Sequence, residues 1–365
     1  MKLKIDQKKL LEAVNAVKIA VPGSKVKPIL ACVKLTATVG DHPENGELAI
    51  VATDTEVHIE RTLKAEVTRP GVACVNCERL LSTVSLADEG EMEIVLGDAG
   101  LDFRQLFNEQ TLPVQIAEEF PDWREDSGEF VAVEGADLAR AFKCTAFASI
   151  GAEDKKFAVK ESTLVQFDKT GIDIAATDTK RLSLYKIPGS YPKMGGIIPM
   201  KSVRLASANL TPGRVEMCIT ANAAVIRGNG WTMTSRLVSG RFPPYEKVIP
   251  KDAKFRLSLM SGLLLAKVRQ ASAATDAETM AMDVEIGGGK MKFRSESSGR
   301  GKAHSEMPLA DSEAEFTARL DPSYVIDFLR VADSDSVMME LGTETQPVIF
   351  RSGERHRYMI QPMER

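Results

Sequence analysis

Residues Gly171 to Tyr185 read GIDIAATDTKRLSLY. Ile172, Ile174 and Ala176 alternate with Asp173 and Ala175. After a polar break, Leu182 and Leu184 alternate with Ser183 and Tyr185. A period of two predicts a pair of short strands. The break, Ala176-Thr177-Asp178-Thr179-Lys180-Arg181, is a corner in which Thr and Asp side chains can bond the local backbone. Alone it is an ordinary hairpin. What gives it weight is that Val51-Ala52-Thr53-Asp54-Thr55, inside Gly46 to Thr62, matches Ala175-Ala176-Thr177-Asp178-Thr179.

Working outward, the whole chain repeats. Leu3 to Ile5 is followed by a helical pattern with Leu10, Leu11, Val14, Val17 and Val21 on one face and Lys8, Lys9, Glu12, Asn15 and Lys18 on the other. The pattern returns at Phe130 to Val133 with Leu138 and Phe142, and at Phe255 to Leu259 with Leu264 and Val268. Ile5, Val133 and Leu259 are equivalent, as are Leu10, Leu138 and Leu264, and Val14, Phe142 and Val268. Copies about 125 residues apart are domains rather than solenoid turns. The third copy carries MDVEIGGGKMKFRSES, a glycine turn, where the others have the Thr-Asp corner.

Each copy then holds a second strand and helix. Asn76 reads as the N-cap of a helix over Cys77 to Leu86, Lys201 to Asn209 is the next, and Asp321-Pro322 opens the third. Strand pairs follow: Glu91–Leu96 with Leu101–Leu106, Val215–Ile219 with Ala224–Arg227, Val337–Leu341 with Val348–Phe350. The expectation is an α+β chain of three repeated domains, 1–127, 128–251 and 252–365, each a βαβββ unit given twice. The linkers are Glu118–Gly128, with Pro121 and Trp123, and Arg241–Lys251, with Pro243, Pro244 and Pro250.

A chain of 365 residues needs more than one core. Its 44% hydrophobic and 27% charged residues are those of a globular protein. No apolar run approaches a membrane span, and MKLKIDQKKL lacks the apolar core of a signal peptide, so a cytoplasmic protein is expected. Five cysteines, an odd number, make no disulfide framework. Cys74-Val75-Asn76-Cys77 is an isolated CxxC; a thiol at a helix start could be acidified, but no second pair accompanies it. His42, His58, His304 and His356 show no ligand spacing. Asp54 and Asp178 have no nucleophile or base beside them, and their repetition at one corner argues for turn geometry. Walker and GxGxxG motifs are absent from the sequence. No catalytic residue, metal or cofactor is expected.

The formal charge is −4, yet cations collect on or beside the helices: Lys8, Lys9, Lys18, Arg79, Arg140, Lys143, Lys201, Arg204, Lys267, Arg269, Arg319 and Arg330. Acids collect in loops: Asp88-Glu89-Glu91, Glu118-Glu119, Asp311-Glu313-Glu315, Asp333-Asp335. On one helix this bias is a solvated face. Shared by six helices of a repeat that tends towards closed symmetry, it points to one common positive surface.

The repeat, the Ala-Thr-Asp corner, SRLVSGRFPPYEKVIP at Ser235 to Pro250 and the tail MIQPMER at Met359 to Arg365 together resemble the bacterial β sliding clamp family, the β subunits of replicative DNA polymerase III. The resemblance spans the chain in order. It implies a head-to-tail homodimeric ring of six domains, helices inside and antiparallel sheets outside, which encircles duplex DNA without reading sequence and tethers the polymerase as a processivity factor. It also implies binding of the polymerase catalytic subunit, clamp loader and repair proteins through short peptide motifs, and no membrane association. The implied peptide pocket comprises Val159, Thr177, Thr179, Lys180, Arg181, Leu182, Pro243, Lys247, Val248, Met359, Ile360, Pro362 and Met363. The DNA-facing cations would be Lys8, Lys9, Arg79, Arg140, Lys143, Lys201, Arg204, Lys267 and Arg269. The dimer contact would join Phe103, Arg104 and Phe107 to Val268, Ala271 and Ala273. The sequence differs from the family pattern at Thr179-Lys180, where Gly-His is usual, in the tail Gln361-Pro362-Met363-Glu364-Arg365, and in the basic stretch Ser297–His304. That last difference suggests the rival reading, a monomeric three-domain peptide-binding scaffold that does not encircle DNA.

Overall fold

The computed structural model describes the chain apart from residues 24–26, 122–127, 152–156, 251, 277–279, 310–312 and 365. Trp123 and Lys251 of the linkers, Asp311 and Arg365 therefore lie outside the described residues. The first third contains β1 (Lys2–Asp6), α1 (Gln7–Lys18), β2 (Cys32–Thr38), β3 (Gly46–Thr53) and β4 (Val57–Arg69). It continues with β5 (Gly71–Asn76), α2 (Cys77–Leu86), β6 (Glu91–Leu96), β7 (Leu101–Gln105), β8 (Asn108–Leu112) and a short β9 (Val114–Gln115). The second runs β10 (Val131–Glu134), α3 (Gly135–Thr145), β11 (Ser162–Asp168), β12 (Gly171–Thr177) and β13 (Arg181–Pro188). Then come β14 (Met194–Pro199), α4 (Met200–Asn209), β15 (Arg214–Ile219), β16 (Ala223–Gly228) and β17 (Trp231–Arg236). The third runs β18 (Phe255–Met260), α5 (Ser261–Ser272), β19 (Met282–Gly287), β20 (Lys290–Ser297) and β21 (Gly301–Pro308). It ends with β22 (Phe316–Leu320), α6 (Pro322–Val331), β23 (Ser336–Leu341), β24 (Val348–Ser352) and β25 (His356–Ile360). Leaving β9 aside, each third is βαβββ given twice, and the chain is α+β as its periodicity implies.

Local chemistry accounts for three of the helix starts, those of α1, α2 and α6. The Asp6 carboxylate accepts from Lys9 N at 3.0 Å, the Asn76 side chain from Arg79 N at 3.0 Å, and Asp321 from Ser323 N at 2.8 Å. Each satisfies a backbone donor that has no partner inside the helix. Pro322 sits at the first helical position, where no donor is needed. Val21, expected on the first helix, lies beyond its end at Lys18. The equivalent residues Ile5, Val133, Leu259, Leu10, Leu138, Leu264, Val14, Phe142 and Val268 are all buried. The glycine turn of the third copy is a tight hairpin, with Gly288 and Gly289 at φ of 55° and 70°. Two consecutive left-handed residues are what such a turn requires.

The chain divides into two compact units, Met1–Ala139 with Ile198–Leu237, and Arg140–Ile197 with Val238–Arg365. In the first, strands run β10-β15-β16-β17-β4-β1-β6-β7-β8, with β3, β2, β5 and β9 branching from β4 in a thirteen-stranded sheet. In the second, an eight-stranded sheet runs β14-β11-β12-β13-β25-β24-β23-β18, beside a four-stranded sheet β21-β20-β19-β22. The units do not follow the three expected domain boundaries, and the ladders give the reason. β17 pairs with β4, setting Met233 opposite Ile59, and β13 pairs with β25, setting Leu182 opposite Met359. Continuous backbone hydrogen bonding across a boundary leaves no break there.

The second unit's main core lies between its sheets and α5 and α6. It holds Leu264, Val268 and Ala271 of α5 with Val325, Phe328 and Leu329 of α6 and Phe350, Tyr358 and Ile360 of the eight-stranded sheet. Phe328 stacks on Tyr358 with centroids 5.2 Å apart and an interplanar angle of 5°.

Candidate functional site

The two Thr-Asp corners are one device used twice. Thr177 Oγ1 donates to the Arg181 carbonyl and accepts from Thr179 N at 3.0 Å; Asp178 Oδ1 accepts from Lys180 N at 2.9 Å and Arg181 N at 2.8 Å. Thr53 and Asp54 make the same bonds to Val57, Thr55 and Glu56. The corner turns through a threonine at positive φ, 79° at Thr55 and 76° at Thr179. A β-branched residue is strained there, which is why two side chains are needed to hold it. Both aspartates serve turn geometry.

The corners differ in what lies behind them. Asp54 pairs with Lys201. Asp178 Oδ2 accepts from Arg181 Nε at 2.9 Å, Arg181 Nη1 reaches Asp327 at 2.8 Å, and Nη2 reaches the Phe147 carbonyl at 3.2 Å. The Tyr324 ring lies 4.3 Å from the guanidinium. Arg181 is 5% exposed. It is therefore committed to the interior and gives the pocket no polar contact, a correction to the sequence reading. Thr177 and Val159 are buried too, and Ile360 belongs to the main core on the inner face of the sheet.

The outer face of the same strands carries a second apolar cluster. Leu182 and Met359, cross-strand partners, cluster with Ala175, Ile349 and Tyr245, and half-buried Leu164, Leu184, Phe242 and Ile249 pack around them. The linker thus brings Phe242, Tyr245 and Ile249 over the sheet. Tyr245 OH donates to Asp173 Oδ2 at 3.2 Å, and burial with that nearby acid raises its pKa. The sequence reading missed Tyr245; an aromatic inside a Pro-Pro-Tyr run was the available signal. The tail joins the corner where Gln361 N donates to the Lys180 carbonyl at 2.9 Å, and Met363 N donates to Arg319 O at 2.8 Å. Thr179, Lys180, Lys247 and Val248 are exposed, and Pro243, Pro362 and Met363 are half-buried. Phe242, Tyr245 and Ile249 of the linker and Met359 of β25 thus pack with Leu182 beside the corner. The result is a packed apolar cluster with exposed Val248, half-buried Pro243, Pro362 and Met363, and the exposed cations Lys180 and Lys247 on the segments around it, a candidate cleft for an apolar peptide anchor.

Two features could be mistaken for chemistry. Ser183 Oγ lies 2.9 Å from His356 Nε2, but it donates to the Cys144 carbonyl at 2.6 Å and is fully buried. Burial, with Arg140 adding to it, pushes the His356 pKa down to about 3. The imidazole is a neutral core group. Below pH 6.5 the unfolded chain protonates it and the native chain does not, so stability falls with pH towards 3, by up to about 1.4 kcal/mol per unit. His356→Leu should flatten urea-unfolding free energies between about pH 6.5 and 5 by that slope; equal slopes for both proteins would mean the native imidazole titrates. The second feature is the CxxC. Burial pushes Cys74 and Cys77 each up to about 11, so a helix start does not acidify the thiol here.

The remaining sequence assignments fare unevenly. Phe103 is 3% exposed in its own unit, and Val268 and Ala271 are core residues of theirs. These three are corrected: none presents a surface. Arg104 pairs with Asp102 at 2.9 Å and Glu109 at 2.7 Å, whereas Phe107 and its neighbour Leu106 are 95% and 96% exposed, and Ala273 is exposed. Of the helix cations, Lys9, Arg79, Lys143, Arg204 and Arg269 are exposed and outside ion pairs among the described residues. Lys8 pairs with Glu89, Arg140 with Asp333 and Lys201 with Asp54, while Lys267 bonds Gln270. Among the described residues no group of His, Cys, Asp and Glu could hold a metal, and no helix is long and apolar enough to cross a membrane.

Residues 1–124 match the family model for the DNA polymerase III beta subunit N-terminal domain, and residues 246–364 that for its C-terminal domain. The chain is 25% identical to the Beta sliding clamp of Treponema pallidum and 25% identical to that of Escherichia coli K12, each covering 100% of both chains. Its fold is similar to the DNA polymerase III subunit beta of Pseudomonas aeruginosa, with a TM-score of 0.90 at 21% identity over 100% of both chains. It is also similar to a Pseudomonas aeruginosa sliding clamp bound to griselimycin, with a TM-score of 0.92 at 21% identity and the same coverage. With both terminal thirds matched and the full length aligned in order, the chain belongs to the DNA polymerase III beta-subunit family, the bacterial β sliding clamps.

Proposed function

We infer that the chain is a DNA sliding clamp, a processivity factor and not an enzyme, working in the cytoplasm on duplex DNA. The observation that carries this is the βαβββ unit repeated six times, along a chain that aligns end to end with sliding clamps. In this reading the three-fold repeat marks three domains, two copies close head to tail into a ring, and the helix cations face the duplex. Exposed ammonium and guanidinium groups meet phosphates by displacing counterions, without reading bases. Topological linkage then replaces tight binding. Partners such as the polymerase attach by an apolar peptide anchor seated on Leu182, Met359, Pro243 and Val248. The scaffold reading, without encirclement, has no observation in its favour beyond the basic Ser297–His304 hairpin.

The test uses loader-assembled complexes on nicked circular DNA. The clamp should stay on circles through gel filtration and leave once they are linearised. Retention after linearisation would mean affinity, not linkage. Charge reversal at Lys143 and Arg204 should weaken loading on any sequence and flatten its salt dependence. Reversal at the already paired Arg140 and Lys201 should do so less.

A further inference from the structure

On the outer face of the eight-stranded sheet, one step along the strands from the cleft, lies a groove of about 450 Å³. Its floor is Leu184 of β13 and Arg351 and Arg357 of β24 and β25; its wall is Tyr245 and Ile249 of the linker. Arg351 and Arg357 stand directly opposite each other in the β24–β25 ladder. Like charges at such positions repel, and both residues are half-buried, which weakens solvent screening. Glu340 of β23 acts on both. Its Oε1 is 2.9 Å from Arg351 Nε and 3.5 Å from Arg256, so it is already shared. Burial, and then Arg351, lower the Arg357 pKa. Beyond its backbone pairing in the sheet, the Arg357 side chain makes no hydrogen bond or ion pair among the described residues.

We propose that this groove is an anionic subsite of the peptide cleft, in which Arg357, supported by Arg351, receives a carboxylate of an acidic residue flanking the partner's apolar anchor. The proposal rests on the cleft reading above. Register sets the spacing. Leu182 faces Met359 and Leu184 faces Arg357, so the cation lies two residues along the strand from the anchor floor, or roughly 7 Å. An extended peptide covers that distance in two or three residues. The Tyr245 ring is shared between the cleft cluster and the groove wall, making one continuous surface. Asp173, Glu246 and Glu354, which line the groove together with the cations Lys186 and Arg355, discourage a polyanion such as DNA. A charged hydrogen bond formed here also relieves the arginine repulsion.

The experiment is calorimetry with short peptides carrying a Leu-Phe anchor and either Glu or Gln three residues before or after it. On the wild-type chain one Glu peptide should bind about tenfold tighter than its Gln counterpart. Arg357→Gln should lose that preference and keep the Gln peptide's affinity, with an unchanged melting temperature as the check on folding. Lys180→Ala should keep the preference. Equal binding of Glu and Gln peptides to the wild type, or a preference that survives Arg357→Gln, overturns the subsite and leaves the cleft standing. If no peptide binds the wild type, or if Leu182→Asp binds them all unchanged, the cleft reading fails and the subsite fails with it.

Discussion

Replacing Arg181 with alanine is expected to destabilise the protein by about 3–5 kcal/mol in a denaturant titration, the cost of breaking a buried ion network from one side. The guanidinium holds Asp178 at 2.9 Å, Asp327 at 2.8 Å and the Phe147 carbonyl at 3.2 Å. Alanine would leave the buried Asp178 without its guanidinium partner, and the Phe147 carbonyl without this donor. It would also remove the face that packs on Tyr324. Arg181→Lys should recover only part, because one ammonium cannot reach three acceptors held in a fork. The double variant Arg181→Ala with Asp327→Ala should be less damaging than the sum of the singles, since the Arg181–Asp327 contact is lost in each single and can be lost only once. A cost for Arg181→Ala below about 1 kcal/mol would rank the network with surface pairs and defeat this account. The peptide cleft should suffer as well, through slackening of the Lys180–Leu182 corner.

That corner also shows how far the residues could be read before the structure. The period of two in β13 separates Arg181, Ser183 and Tyr185 from Leu182, Leu184 and Lys186. It does not say which set faces the main core. Both faces are covered, one by α6 and its neighbours and the other by the linker, so polarity gives the wrong answer: Ser183 is inside and Leu184 partly out. A strand buried on both faces loses the polar/apolar contrast that marks its inner side. The same ambiguity misplaced Ile360. The repeat, by contrast, was legible because it depends on spacing alone. Phe103 could have been placed correctly: it alternates with Asp102 and Arg104 and shares a face with buried Leu101. Tyr245 and Arg357 owe their roles to pairing between segments far apart in sequence, and no local pattern carries that.

The second large effect is expected from Leu106→Asp combined with Phe107→Asp, which should weaken self-association at least about a hundredfold. The two side chains sit together in the turn between β7 and β8, 96% and 95% exposed, and Leu86 at the end of α2 is 82% exposed. A depression of about 400 Å³ beside them is lined by Leu86, Met92 and Phe107. An exposed apolar patch of this kind marks an interaction surface. Burying a Leu or Phe side chain contributes about 1.5–3 kcal/mol, so losing two and adding two charges removes most of a dimer's margin. Neither residue supports the core of its own unit, so the variant's melting temperature at low concentration should match the wild type. Phe103→Asp is the contrast: at 3% exposure it would place a charge inside the unit and lower stability instead. Sedimentation velocity over a concentration series separates the outcomes. A double variant that sediments as the wild type at every concentration would remove the β7–β8 turn from the dimer contact. A variant that dissociates while keeping its melting temperature would assign the contact to the turn, because no change in folding could then account for the loss.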